Sequence, residues 1–163
     1  MVKVCTTSEK ETVEIGKMLG NLFTGGEILA LNGEMGAGKT AFTKGIALGI
    51  DINEYITSPT FALVNEYVGR LPLYHFDVYR INDEDELMEI GFEDYIYSNG
   101  VSVVEWSSLT PNIIPKERIN VSIDKVAEDQ DKRKIVFEFL GEKNKHLEKT
   151  FTEEVLKYEN TCS

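Results

Sequence analysis

The chain has 163 residues, 42% of them hydrophobic and 28% charged, with a formal net charge of −11. Its size and composition suit one globular domain spanning 1–163, and no run of about 18 apolar residues offers a membrane span. A charge this negative excludes a chain that holds nucleic acid by general phosphate neutralisation on its own surface, and fits one that docks on a basic partner.

At the N-terminus, Met1 to Thr7 lacks the apolar core of a signal peptide, so a cytoplasmic location is expected. Cys5 and Cys162 lie near opposite ends without C-x-x-C spacing and read as free thiols rather than a disulfide or zinc site. His75 and His146 are too few and too scattered for a metal cluster. Ser8-Glu9-Lys10-Glu11 has the form of a capping box. Thr12, Ile15, Leu19 and Leu22 follow at helical spacing, which predicts an amphipathic helix over 8–22. Gly25-Gly26 ends it and leads into a short buried strand, Glu27 to Leu31.

The next stretch carries the chemistry. Gly33-Glu34-Met35-Gly36-Ala37-Gly38-Lys39-Thr40 fits the phosphate-loop pattern G-x-x-x-x-G-K-[ST]. Glycines let the backbone turn tightly and bring N–H groups onto phosphate oxygens. Lys39 places a compact positive charge on the β- and γ-phosphates, and the Thr40 hydroxyl is suited to ligating Mg²⁺. From Lys39 a helix opens whose N-terminal dipole favours the anion, and Gly49 stops it. Strand, loop, helix is the context in which this motif binds a nucleotide.

Thr57-Ser58-Pro59-Thr60-Phe61 is a polar loop where phosphate-loop proteins often carry a γ-phosphate or Mg²⁺ sensor, though a plain turn into a strand fits the same residues. Two strands, Phe61 to Val68 and Leu71 to Asp77, form a hairpin about Gly69-Arg70. Asp77 ends an apolar strand, as either a ligand-side carboxylate or a surface acid. The acidic run Asn82 to Glu89 reads as a solvated short helix capped by Asn82, and Gly91 to Tyr97 as another. Val101 to Glu105 is a β-branched strand ending in an acid, the position from which phosphate-loop enzymes reach Mg²⁺ or its water shell. Trp106 follows as either a core residue or a wall of the site. Ile119 to Ile123 and Lys134 to Leu140 are strands joined by a charged turn at 129–133, and a helix runs from Asn144 to Asn160. Together these predict an α/β fold with a mixed, mostly parallel sheet flanked by helices.

With Gly33–Thr40, Ser58-Pro59-Thr60-Phe61, His75-Phe76-Asp77-Val78-Tyr79-Arg80, Gly91 and Val104-Glu105-Trp106 in this order, the chain resembles the TsaE (YjeE) family. These segments span about half of the chain. The resemblance implies a single P-loop ATPase domain over 1–163 with a P-loop NTPase fold, binding ATP and Mg²⁺. It also implies work with the TsaB and TsaD proteins in threonylcarbamoyl transfer to adenosine 37 of tRNA, with tRNA met only through that complex. By position, the resemblance makes Gly33, Gly36, Ala37, Gly38, Lys39, Thr40 and Ala41 the phosphate cradle. Thr40 and Glu105 become the metal ligands, and Lys39, Thr60, Asp77 and Glu105 the catalytic group. The N-terminal segment around Glu9 borders the adenine.

The residues alone leave three readings open: an accessory ATPase, a small-molecule kinase of the same fold, and a nucleotide-gated binding module without turnover. They do not divide the roles of metal ligand and water-orienting acid between Asp77 and Glu105.

Overall fold

The structure is a computed structural model that describes residues 1–59, 63–159 and 162. Thr60, Phe61 and the end of the last predicted helix, Asn160, therefore lie outside the described residues. Seven strands form one sheet: β1 (Val2–Thr6), β2 (Ile28–Gly33), β3 (Val64–Val68), β4 (Pro72–Asp77), β5 (Val101–Glu105), β6 (Ile119–Val126) and β7 (Asp129–Phe139), ordered β1-β7-β6-β2-β5-β4-β3. β2, β4, β5 and β6 are parallel neighbours, while β7, β1 and β3 add antiparallel pairs at the two sides. The fold is thus the expected P-loop NTPase-like α/β architecture.

The central strands are apolar because both faces of that part of the sheet are covered. β5 is buried at every position. On one face, α1 (Glu9–Asn21), α2 (Lys39–Gly49) and α5 (Glu142–Glu154) pack over Leu29, Leu31, Val103 and Phe137. On the other, the short helices α3 (Asp85–Glu89) and α4 (Phe92–Ile96) cover Ala30, Phe76 and Val104.

α1 begins as its sequence dictates, with the Glu11 N–H donating to Ser8 Oγ at 3.1 Å. The reciprocal half of the box lands one residue earlier, where the Thr7 N–H and hydroxyl donate to the Glu11 carboxylate at 3.2 and 2.7 Å. α1 and α2 approach unusually closely, and glycines on both helices allow it. A Cβ on Gly16 or Gly20 would sit 2.4 Å from Phe42 O or 2.6 Å from Ile46 O. One on Gly45 or Gly49 would sit 2.1 Å from Val13 O or 2.6 Å from Lys17 O. Gly49 is therefore a packing residue rather than a left-handed stop; Asp51, at φ 64°, makes that turn. The Arg70 guanidinium, on the β3–β4 turn, donates to Phe23 O, Gly20 O and Gly49 O at 2.7, 3.1 and 3.2 Å, tying the hairpin to both helix ends.

β1 has no counterpart in the sequence reading; it is an edge strand paired with β7. Three further expectations are corrected. Glu84, not Asn82, occupies the N-cap of α3, and the Asn82 N–H donates to Glu86 instead. The segment 129–133 belongs to β7, with the turn at Ala127-Glu128, because the β6–β7 ladder continues to Val126 opposite Asp129. Cys5 and Cys162 are not free thiols: they form a disulfide, with Cα atoms 5.4 Å apart, linking β1 to the C-terminal tail. No helix among the described residues is long and apolar enough to cross a membrane.

Candidate functional site

The carboxyl ends of the parallel strands open onto a cavity of about 720 Å³, lined by Gly36, Ala37, Gly38, Lys39, Thr40 and Ala41 together with Glu9, Asp77 and Glu105. Gly33 stands behind it as the last residue of β2, pressed so close to β6 that a Cβ there would lie 2.6 Å from Ile123 O. Of the candidate site residues named from the sequence, Thr60 lies outside the described residues, Gly33 stands behind the cavity, and the others line it.

The loop builds an anion cradle. Gly36 and Gly38 have φ of 79° and 113°, which only glycine adopts without strain. Gly38 caps α2 without a side-chain hydrogen bond, so the first amides of the helix are left for a ligand. Lys39 is buried, and its Nζ donates to Gly33 O at 2.5 Å and Glu34 O at 3.0 Å while standing 4.3 Å from the centre of the Trp106 ring. Burial lowers the pKa of its ammonium, and the charges of Glu105 and Asp77 pull it back up. Trp106 is a wall of the site, turned out of β5 by φ of 62° and packed against Tyr79 with ring centres 4.7 Å apart and planes tilted by 41°.

Asp77 and Glu105 are neighbours in the β4–β5 register. Burial pushes the Asp77 carboxyl up from its ordinary value; the hydrogen bond from the Tyr79 amide opposes this, and the charge of Glu105 adds to it. Glu105 is only 2% exposed. It ends a hydrogen-bonded chain: Thr40 Oγ1 lies 3.0 Å from Ser58 Oγ, Ser58 Oγ donates to Glu105 Oε2 at 3.4 Å, and His75 Nε2 contacts the same oxygen.

These donors fit the ions the sequence implies. Thr40, Ser58, Asp77 and Glu105 present oxygen only, the chemistry Mg²⁺ prefers. Among the described residues no group of three or more His, Cys, Asp or Glu is placed to hold a metal ion.

Three site residues have no individual role in the sequence reading. Ser58 stands there in the candidate sensor loop, and His75 in the segment His75–Arg80 that carries the resemblance, each without a task of its own. The charged turn expected at 129–133 hides Arg133; β7 instead carries it to the phosphate loop, where its Nε–H donates to Ala37 O at 2.8 Å.

A family model described as threonylcarbamoyl adenosine biosynthesis protein TsaE matches residues 6–135. The chain is 39% identical over 156 residues to the tRNA threonylcarbamoyladenosine biosynthesis protein TsaE of Bacillus subtilis, covering 95% of this chain and 94% of that protein. It is 39% identical over 127 residues to the protein of the same name from Treponema pallidum, covering 78% and 94%. The crystal structure of B. subtilis YdiB superposes with a TM-score of 0.76 at 36% identity, covering 94% of this chain and 95% of that one.

Proposed function

Because the chain belongs to the TsaE family, we propose that it acts in threonylcarbamoyladenosine synthesis on tRNA as an accessory ATPase, hydrolysing Mg²⁺-ATP in complex with TsaB and TsaD in the cytoplasm. The observation that carries the reading is the uncapped start of α2 beside a buried Lys39 and two strand-end acids.

ATP lies with its phosphates on the amides of Gly36 to Ala41 and its base toward Glu9. Lys39 leaves the carbonyls of Gly33 and Glu34 and places its charge on the β- and γ-phosphates. Thr40 and Glu105 would hold Mg²⁺, which would supply charge neutralisation to the phosphates. The burial of Glu105 and its link to Thr40 through Ser58 favour it for the metal side. Asp77, with its raised pKa, then takes the water side: it orients the attacking water and accepts its proton. Thr60, outside the described residues, enters the catalytic group only through the family resemblance. The cradle and its positive charges stabilise the developing charge on the γ-phosphoryl group.

Phosphorus NMR of wild-type protein and Lys39→Ala incubated with Mg²⁺-ATP, TsaB and TsaD tests the reading. Inorganic phosphate should form with the wild type only. Transfer of the γ-phosphate to an acceptor would instead indicate a kinase, and unconsumed ATP a nucleotide-gated binding module.

A further inference from the structure

The proposed chemistry leaves one buried polar side chain at the site without a role. His75 lies on β4, two residues before Asp77, is fully buried, and contacts Glu105 Oε2 through Nε2. A polar ring placed there among apolar neighbours carries a desolvation cost that a leucine would avoid. Its Nδ1 finds no hydrogen-bond partner among the described residues, so the contact with Glu105 is the one side-chain hydrogen bond His75 makes among them. Against an ionised carboxylate, Nε2 must carry the hydrogen and donate.

We propose that His75 is a positioning residue for Glu105: its Nε2–H, with the Ser58 hydroxyl, fixes Oε2 so that the other carboxylate oxygen is presented to the cavity beside Thr40. Three observations converge on this. The two hydrogen bonds fall on the same oxygen of Glu105. The strands bearing the pair are parallel neighbours, with His75 opposite Val103 and Asp77 opposite Glu105, so the imidazole approaches from the core side. Ser58 also reaches Thr40, so Glu105 is held from the loop and from the core at once. A carboxylate held in one orientation ligates a small, geometrically demanding cation such as Mg²⁺ better than one free to rotate.

The inference rests on the reading of Glu105 as a Mg²⁺ ligand, and the test separates the two. ATP binding to the full chain is measured by equilibrium dialysis with excess Mg²⁺ and with EDTA, for wild type, His75→Gln, His75→Leu and His75→Asn. The Gln amide nitrogen reaches the place of Nε2; the Leu and Asn side chains do not. Wild-type protein should bind ATP more tightly with Mg²⁺. His75→Leu and His75→Asn should cut that Mg²⁺ advantage by about tenfold, with binding in EDTA unchanged, and His75→Gln should restore it. If His75→Leu does not fold, His75→Asn gives the same comparison. The proposal is overturned if the truncated variants keep the full Mg²⁺ advantage, if His75→Gln loses as much as they do, or if affinity falls equally with and without Mg²⁺. A wild type with no Mg²⁺ advantage overturns the underlying reading and this proposal together.

Discussion

Asp77 and Glu105 end adjacent strands, yet their surroundings separate them. Glu105 is held by His75 and Ser58, whereas Asp77 receives the Tyr79 amide and carries a raised pKa. The sign of that shift fixes a stability prediction. Between the ordinary carboxylate value of 3.8 and its raised value, folded Asp77 keeps a proton that the unfolded chain has lost, so its contribution to stability falls as pH rises through that window. Asp77→Asn should therefore raise the thermal midpoint at neutral pH, and the gain should vanish below pH 3.8; a gain that persists in acid would contradict the assignment. For turnover the direction reverses, because the water-orienting acid must be ionised, and Asp77→Asn should be nearly inactive despite its greater stability. Glu105→Ala should lower phosphate release far more than Glu84→Ala on α3, and equal losses would remove Glu105 from the site.

At the scale of elements, the phosphate loop depends on how tightly α2 lies on α1. Gly45→Ala drives a methyl group into Val13 O, whose backbone has nowhere to go. It should cost about 3 kcal/mol or more, lowering the thermal midpoint by about 6–12 °C. Calorimetry that finds no change would show that the helices can part. This contact was open to inspection in the sequence as Gly16-x-x-x-Gly20 and Gly45-x-x-x-Gly49, but Gly49 reads equally well as a helix stop. The phosphate loop, α1 and β5 were legible because local rules determine them: a motif with fixed spacing, a capping box, a β-branched run. β1 and the lower part of β7 were not. β1 gains its partner from residues more than a hundred positions away, and the charges at 129–133 look like a turn until the ladder places Arg133 against the phosphate loop. For the same reason Arg133 was invisible as a site residue, and Ser58 and His75 stood in recognisable segments without their roles being legible, since each acts through a partner distant in sequence.

Across the whole molecule, the disulfide closes nearly the entire chain, with Cys5 and Cys162 lying 157 positions apart. In the chain-entropy account a link closing so long a loop stabilises the fold by about 5 kcal/mol. Reductant should lower the thermal midpoint of the wild type but leave that of Cys162→Ser unmoved; equal behaviour would mean the link contributes nothing. The net charge of −11 makes a second prediction. The isolated protein should bind tRNA weakly, and tight, salt-sensitive binding would show a basic surface that the composition does not suggest. Weak tRNA binding would fit the proposal that the chain supplies a nucleotide site to a larger assembly and leaves contact with the RNA to its partners. The most direct test is phosphate release from Mg²⁺-ATP with and without purified TsaB and TsaD, using Lys39→Ala as the blank. The account predicts strong stimulation by the pair that is absent in the Lys39→Ala protein. No stimulation, with nucleotide binding confirmed by a change in Trp106 fluorescence, would contradict it.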